Sequence, residues 1–353
     1  MRRLLAGAVV CALACALGGG VVAGAQAAEP IGPRIAFNEL RFREPLAKSY
    51  FGIATVGPGG EQRRTVVSAS GNGLRPLGTL SWSPDGSQLA FAGITSKLTE
   101  PQKKTAIYVL PAAGGTPRRL AGTGHGSSPV WSPDGRQIAF ARERSRVHFG
   151  RNPFDFSIYS STSTWIVPAA GGHARRLTPW GNGKSIEPSS FSPDGGTLAL
   201  TREAGKRGPE AVLLDLNDGG ISAIDRDAED PVFSPDGSRI ALASYRDGVV
   251  AGKGKNRTEV NDLYTVDPDG GNPQRLTNTR HRQEKGPSWD PSGTRIAFMQ
   301  TPAHLNIFAL TSAIAEVNFN GSCSHLVIPP GGALRGAPEW QPGPGRSAAP
   351  LTC

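Results

Sequence analysis

Short apolar segments recur along the chain, and each follows the same turn-forming motif. The motif reads aromatic-Ser-Pro-Asp-Gly, with Asp-Pro-Ser-Gly in its last copy, and an apolar run of the type Ile-Ala-Phe comes shortly after it. The five copies begin at Trp82, Trp131, Phe191, Phe233 and Trp289. Pro presets the first turn angle, Asp hydrogen-bonds the backbone ahead of it, and Gly takes the positive φ that ends a hairpin turn. Each copy therefore predicts a β-hairpin.

Two further strands follow each hairpin. The third strands are predicted at 107–110, 165–167, 212–214 and 262–266. Gly-Gly pairs at 114–115, 171–172, 219–220 and 270–271 come next, and they precede fourth strands such as Arg118-Arg-Leu120. A repeat of about 40 to 60 residues with this content indicates a propeller, in which four antiparallel strands make one blade.

The two ends of the repeat region complete each other. Pro33–Phe37 reads as a second strand with no turn motif before it, and 338–343 reads as a first strand with no second strand after it. Joined in one blade, they would close the ring and remove the exposed sheet edges of an open array. The prediction is an all-β, six-bladed β-propeller with four antiparallel strands per blade, forming a single domain over 28–353.

The Trp-Ser-Pro-Asp-Gly and Ile-Ala-Phe units resemble the WD-like propeller repeats of the TolB family, and they cover residues 33–343. TolB also has an N-terminal α/β domain that works with the Tol–Pal envelope system, and no counterpart precedes the repeats here. The resemblance therefore implies the scaffold and not the Tol–Pal role. Related propellers accompany the hydrolase domain of prolyl oligopeptidases, but the sequence contains no Gly-x-Ser-x-Gly elbow.

The N-terminus is typical of a secretory signal peptide over residues 1–27. Arg2 and Arg3 precede an apolar run from Leu4 to Val22, and small residues follow at 25–27, so cleavage is expected after Ala27 or Ala28. A membrane anchor and a lipoprotein attached at Cys15 are the less favoured alternatives. Nothing after Val22 resembles a transmembrane segment, and the expected product is an extracytoplasmic monomer.

Two of the four cysteines remain after the expected cleavage, Cys323 and Cys353. An even pair outside the cytosol predicts a disulfide. The formal net charge is +9. This excess favours anionic partners but carries no information about the fold.

The positive charge concentrates in the connections between second and third strands, which lie on one face of the disc. These connections are placed near 41–50, 94–105, 142–162, 202–210, 245–261 and 299–306, and they hold 17 Lys and Arg against 8 Asp and Glu. In the 142–162 connection the basic residues alternate with aromatic ones, a combination that can grip carboxylate or phosphate. The candidate ligand-binding residues are Arg142, Arg144, Arg146, His148, Arg151, Lys253, Lys255 and Arg257.

The preferred hypothesis is non-covalent binding, on this face, of an anionic envelope polymer or an acidic envelope protein. The alternative is that the long connections are rich in charged residues only because they are solvated, without any binding role. Nucleic acid would suit the same chemistry but is not expected as a partner of an exported protein.

A metal-assisted lyase or hydrolase working in the axial pocket is the alternative function. Its weak metal candidates are Glu187, Asp230, His125 and His281, which share no ligand spacing. No cofactor and no catalytic residue are predicted, although a divalent cation is left open. Because Asp85 and its counterparts Asp134, Asp194 and Asp236 recur within the turn motif, they are assigned to turn chemistry.

Overall fold

A computed structural model describes residues 34–41, 49–69, 73–95, 105–149, 156–181, 184–203, 208–252, 257–303, 311–343 and 349–353, with backbone only for 69, 146–149 and 156–159. Within these ranges every regular element is a β-strand. No helix in the same ranges is long and apolar enough to cross a membrane. The predicted signal peptide lies outside the described residues.

The strands form six antiparallel sheets arranged as a ring, numbered here as blades 1 to 6. Blade 1 contains β1 (Ile35–Arg41), β2 (Tyr50–Val56) and β3 (Arg64–Ala69) together with the C-terminal β26 (Leu334–Arg335) and β27 (Glu339–Trp340). Blade 2 contains β4 (Arg75–Trp82), β5 (Gln88–Ile94), β6 (Thr105–Pro111) and β7 (Arg118–Arg119). Blade 3 contains β8 (Gly126–Trp131), β9 (Gln137–Phe149), β10 (Phe156–Pro168) and β11 (Arg175–Arg176).

The other three blades follow in chain order. Blade 4 contains β12 (Ile186–Phe191), β13 (Thr197–Glu203), β14 (Pro209–Asp215) and β15 (Ile221–Arg226). Blade 5 contains β16 (Ala228–Phe233), β17 (Ile240–Ser244), β20 (Asp262–Val266) and β21 (Gln274–Arg275), and it also carries the small ribbon of β18 (Val250–Ala251) and β19 (Thr258–Glu259). Blade 6 contains β22 (Arg282–Trp289), β23 (Arg295–Pro302), β24 (Ala313–Asn318) and β25 (Ser324–Ile328). The predicted six-bladed propeller is confirmed.

Ring closure occurs where the sequence places it. The C-terminal strand β27 pairs antiparallel with β1, and the partners are Ile35 with Trp340 and Ala36 with Glu339. The shorter β26 pairs with the other half of β1, opposite Glu39 and Leu40. The first strand of blade 1 is therefore built entirely from the C-terminal end of the repeat region.

Hydrogen bonds join neighbouring blades around the axis, and two types of bond occur at successive interfaces. Where a serine precedes the first-strand aromatic residue, its hydroxyl accepts the backbone N–H of the next blade. These bonds run from Trp131 to Ser81 at 3.1 Å, from Phe233 to Ser190 at 3.0 Å and from Trp340 to Ser288 at 2.9 Å. At two of the intervening interfaces, an indole N–H donates to a backbone carbonyl instead, from Trp82 to Glu339 and from Trp289 to Val232.

Glycines allow the outer parts of the blades to approach closely. A Cβ atom on Gly60 would lie 2.2 Å from the carbonyl oxygen of Val327, and one on Gly270 would lie 2.2 Å from that of Ile224. Both glycines have a positive φ in a turn between third and fourth strands. A side chain at either position would force two blades apart.

The core lies between the blades, on both faces of each sheet. The central second strands contribute the fully buried Phe37, Phe91, Phe140 and Phe298. Alanines such as Ala90 and Ala139 stand beside these large residues, so facing sheets interdigitate at close packing. This arrangement explains the apolar second strands, which have no solvent face.

The turn motif is held by the side chains that define it. Asp85 accepts hydrogen bonds from the hydroxyl of Ser83 at 2.6 Å and the backbone N–H of Ser87 at 3.0 Å, and these bonds lower the pKa of Asp85. In the last copy Asp290 takes the place of the serine, and it accepts from the backbone N–H groups of Thr294 and Arg295, each at 2.7 Å. Ser292 in turn donates to Asp290. The two polar residues have exchanged positions, and the turn is kept.

The connection predicted as a loop at 142–162 is largely strand, and that interpretation was wrong. Strands β9 and β10 continue in register as far as the pair Phe149 and Phe156. The predicted connection at 245–261 also contains the β18–β19 ribbon, with a small core of Ala251, Val260 and Ala303. Both insertions extend the propeller as paired strands, because their threonine, aromatic and β-branched residues favour strand pairing.

Cys323 and Cys353 form a disulfide, with 5.2 Å between their Cα atoms. The C-terminal tail is also held by Asn318, whose side chain accepts from the N–H of Leu351 at 2.8 Å and donates to its carbonyl oxygen at 3.0 Å. The tail that follows the closing strand is thus attached to blade 6.

Deleting residues 337–353 should open the ring. The variant loses β27 and leaves the Ile35–Ala36 part of the β1 edge unpaired, so we expect a lower melting temperature and concentration-dependent aggregation, measured by scanning calorimetry and light scattering. Deletion of 344–353 is the matched control, because it removes the disulfide and keeps β27. Equal melting curves for the two deletions would contradict closure by β27.

Replacing Cys323 and Cys353 together by Ser should lower the free energy of unfolding by about 3–4 kcal/mol in the chain-entropy model. Denaturant titration measures this change. Thiol titration of the oxidised wild-type protein under denaturant should detect no free thiol from this pair. Two reactive thiols would contradict the bond.

Candidate functional site

An axial cavity of about 570 Å³ lies where the innermost strands of all six blades meet. Its lining extends from the prolines of the turn motif, such as Pro84 and Pro193, to Thr201 and Glu203 at the second-strand ends. The cavity therefore runs along much of the propeller axis, and the inner strands decide its chemistry.

Each inner strand is irregular where it faces this cavity. The strand register shifts between Ser127 and Val130 in β8 and between Glu229 and Val232 in β16, and Ser128 and Asp230 inside these shifts have φ values of 48° and 56°. Non-glycine residues rarely adopt this left-handed conformation, which marks functional or tightly constrained positions. The bulges direct polar side chains towards the axis.

The bulge residues also link neighbouring blades. Ser128 donates its hydroxyl proton to Glu187 at 2.9 Å, and Asp230 accepts the backbone N–H of Gly286 at 2.9 Å. The backbone N–H of Asp230 donates to the hydroxyl of Thr201 at 2.8 Å. These contacts hold two acidic side chains at fixed positions in the cavity wall.

Five carboxylates line the cavity, and no lysine or arginine appears in the described part of its wall. They are Glu187, Glu203, Glu229, Asp230 and Glu339. Burial raises the pKa of Glu339 to about 8 and that of Asp230 to about 6, and it also raises the pKa of Glu187. The cavity is thus an acidic, partly protonated environment that disfavours anions.

Glu229 is the best-connected of these carboxylates. It accepts hydrogen bonds from the hydroxyl of Tyr245 at 2.9 Å and the amide of Asn261 at 3.2 Å, and Lys285 forms an ion pair with it at 3.0 Å. Burial, followed by the charge of Glu229, raises the pKa of Tyr245. The tyrosine therefore stays protonated and acts as a hydrogen-bond donor.

The metal candidates of the sequence analysis do not come together. Glu187 and Asp230 lie in the cavity wall, as their positions before first strands suggested. His125 and His281 instead provide backbone hydrogen bonds at connections between blades. Among the described residues, no three His, Cys, Asp or Glu side chains are close enough to hold a metal ion.

The extended hairpin of blade 3 carries the second candidate site. Arg142 and Arg144 are two residues apart on β9, opposite Ser163 and Ser161 of β10, so their side chains share one face. The guanidinium of Arg142 lies 4.0 Å from the ring centre of Trp165, and that of Arg144 lies 4.5 Å from the ring centre of Trp180. The two indoles are themselves neighbours, with ring centres 6.3 Å apart.

These contacts position the two arginines on one face of the hairpin. Arg142 also donates to the carbonyl oxygen of Gly122, and burial lowers its pKa while leaving it a cation. A cation on an indole face is stabilised by about 0.5–2 kcal/mol. A stacked guanidinium keeps in-plane N–H groups that can bind carboxylate or phosphate in bidentate fashion.

The structure describes only part of the predicted basic set. Arg146 and His148 continue the alternation on β9, but their side chains are outside the described residues, as are Arg151, Lys253 and Lys255. Arg257 is exposed. Other arginines of the same face are paired with acids, Arg202 with Glu210 at 2.6 Å and Arg246 with Asp225 at 2.5 Å. These ion pairs therefore neutralise part of the positive charge that the sequence places on this face.

Sequence reasoning missed two features of these sites. It placed Trp165 in a third strand and assigned no role to Trp180, although the alternation Arg-x-Arg-x-Arg-x-His is a signal for one strand face. It also missed the acidic cavity. Glu187, Asp230 and Glu339 each adjoin the proline of a first strand, and this shared position is a usable signal.

The geometry defines a six-bladed β-propeller with an acidic axis and an arginine-bearing hairpin, and its fold is that of the TolB propeller domain. TolB from Acinetobacter baumannii superimposes with a TM-score of 0.60 at 20% identity, covering 88% of this chain and 67% of that one. A putative TolB from Agrobacterium tumefaciens gives 0.57 at 18% identity, over 87% and 99% of the two chains.

A chain of a nidogen–laminin complex is also similar, with a TM-score of 0.55 at 11% identity over 88% and 98% of the two chains. No protein-family model and no curated protein matches the sequence. At these identities the likeness establishes the fold and leaves the ligand to be argued from the residues.

Glu339→Gln should change how stability depends on pH. The folded-state pKa of Glu339 is raised to about 8, so its contribution to stability is present below the unfolded pKa and is lost as pH rises through about 8. We expect the wild-type melting temperature to fall more steeply than that of the variant between about pH 5 and 9. Parallel curves would contradict the assignment, and Glu61→Gln, at an exposed position, is the control.

Proposed function

We propose that this protein is a non-covalent binding module for an anionic ligand, an acidic polymer or the acidic segment of a partner protein, on the face that carries the β9–β10 hairpin. The observation that carries the proposal is the pair of stacked arginines, Arg142 on Trp165 and Arg144 on Trp180. Aromatic rings position both charges on one face of β9, and this placement supports recognition of an external anion.

The position of the hairpin supports this choice over the axial cavity. An anion entering the cavity would meet five carboxylates, whereas the hairpin presents two arginines that are each stacked on an indole ring. Arg146, His148 and Arg151 belong to the same proposed contact region, and Lys253, Lys255 and Arg257 form a second basic segment. No bound metal or catalytic group is needed for this function.

The proposed location is extracytoplasmic. The support is the signal-like segment at residues 1–27 together with the disulfide between Cys323 and Cys353, since disulfides persist in oxidising compartments. An envelope polymer or an envelope protein is the class of partner found there.

Replacing Arg144, Arg146 and Arg151 together by Ser should weaken binding of an acidic polymer such as polyglutamate by about tenfold or more, since the loss of three ion pairs with the polymer, each of about 0.5 kcal/mol, adds to that factor. Fluorescence anisotropy with a labelled polymer measures the affinity. Wild-type affinity should also fall as salt increases, because exposed charges are screened over about 8 Å at physiological ionic strength.

The control removes the same charge elsewhere. Arg64, Arg119 and Arg136 are exposed, and no side-chain hydrogen bond or ion pair joins them to the described residues. Arg239 is unsuitable because it forms an ion pair with Asp267 at 2.5 Å. If the control triple variant loses binding while the hairpin variant keeps it, the proposed face is wrong.

A further inference from the structure

We infer that the protein has a second binding site, between blades 2 and 3 on the face that carries the Ser-Pro-Asp-Gly turns, and that it takes a small zwitterion with an ammonium group and a carboxylate, as amino acids have. The site is a cavity of about 470 Å³. That volume falls in the range of small-molecule sites, about 300–1,000 Å³. The cavity is separate from the arginines of the β9–β10 hairpin, and it goes beyond the proposed function.

The cavity wall contains charges of both signs that do not neutralise each other. Asp85 of blade 2 and Asp134 of blade 3 supply carboxylates, and Arg118 of β7 supplies a guanidinium. All three residues are exposed, and within the described part of the chain Arg118 forms no ion pair with either aspartate. Opposite charges that surround one cavity without pairing are complementary to a ligand that carries both charges.

Arg118 is held in position by uncharged partners. Its guanidinium donates to the carbonyl oxygens of Ala169 and Ala170 in blade 3, each at 3.2 Å. These bonds orient the guanidinium without cancelling its charge. Because a guanidinium has about five N–H groups, others remain that can donate to the carboxylate of a ligand.

The two aspartates are ionised and held by their own turns. Asp134 accepts hydrogen bonds from the hydroxyl of Ser132 at 2.5 Å and from the backbone N–H of Arg136 at 3.0 Å. These bonds lower the pKa of Asp134, and the equivalent bonds in the preceding turn lower the pKa of Asp85. A carboxylate has about four lone-pair sites, so both groups can also accept from the ammonium group of a ligand.

A buried indole N–H at the same cavity points to a ligand independently of the charges. Trp131 lines the cavity and is 7% exposed, and its indole N–H has no hydrogen-bond partner among the described residues. The equivalent indoles of Trp82 and Trp289 donate to backbone carbonyls of the preceding blade, at 3.2 and 3.1 Å. A buried donor without an acceptor destabilises the folded state, and a ligand oxygen bound beside Trp131 would remove that cost.

Among the described residues, one interface of the ring combines these features. Phe191 and Phe233 take the place of the tryptophan in blades 4 and 5, and neither has an N–H in its side chain. Trp340 of blade 1 also has an unpartnered indole N–H, but the turn after it, 341–343, contains no aspartate. The site is therefore specific to blades 2 and 3 and is not a general property of the repeat.

A series of ω-amino acids tests the inference. Glycine, 4-aminobutyrate and 6-aminohexanoate carry the same two charges at increasing separation, and each is compared with the amine and the carboxylate of matching chain length. We expect at least one zwitterion to bind the full-length wild-type protein about fivefold or more tightly than either of its single-charge analogues, because it makes contacts of both signs. Isothermal titration calorimetry measures the affinities.

Charge-removing variants then assign each end of the ligand. Arg118→Gln should reduce the affinity for the zwitterion to that for the matching amine. The double variant Asp85→Asn and Asp134→Asn should reduce it to that for the matching carboxylate. Arg175→Gln and Asp194→Asn are the matched controls, since they alter the equivalent positions between blades 3 and 4, and both should bind like the wild type.

The indole is tested by Trp131→Phe, which keeps an aromatic ring, removes the N–H and should weaken binding of the zwitterion severalfold. If no zwitterion binds more tightly than its single-charge analogues, the inference is wrong. It is also wrong if the two controls lose as much affinity as Arg118→Gln does. The comparison of ligands uses wild-type protein, so it decides the matter even where a variant fails to fold, and polyglutamate binding at the hairpin is measured separately.

Discussion

The pairing of β27 with β1 is the constraint on which the whole ring depends. A four-stranded blade has two apolar faces and cannot bury either of them alone, so each blade needs a neighbour on both sides. Only blade 1 joins strands from opposite ends of the repeat region, and the pairs Ile35 with Trp340 and Ala36 with Glu339 make that junction. The Ser288 hydroxyl then binds the backbone N–H of Trp340, which extends the serine-mediated contacts of the inner ring to the closing strand.

The architecture could be predicted from the sequence because each repeat contains the residues that form its own turn. Ser83, Asp85 and Gly86 specify one turn by their own hydrogen bonds and backbone preference, and the exchange of roles at Asp290 and Ser292 shows that the turn needs the pair of polar groups more than their order. The closing strand could also be predicted, because the two terminal fragments lack complementary parts of one blade. Such features depend on spacing along the chain, which the sequence displays directly.

The candidate sites were less predictable because they depend on neighbours far apart in sequence. Arg144 lies on Trp180, 36 positions later, after the chain has completed the rest of blade 3. Arg246 looked like a free charge of the basic face, yet it pairs with Asp225 of the preceding blade. The hairpin at 142–162 was mistaken for a loop because its serines and arginines are polar on both sides, which hides the strand periodicity where no core is buried.

The distribution of charge follows from the same architecture. First strands converge on the axis, so the acidic residues beside their prolines, Glu187, Asp230 and Glu339, collect in one cavity although they belong to three different blades. The hairpin arginines project from the periphery, where the aromatic residues of a single blade support them. The propeller thereby separates a carboxylate-lined centre from an arginine-bearing periphery. Under the proposed function, this separation of charge would favour an acidic ligand on the outer part of blade 3 and disfavour it at the axis.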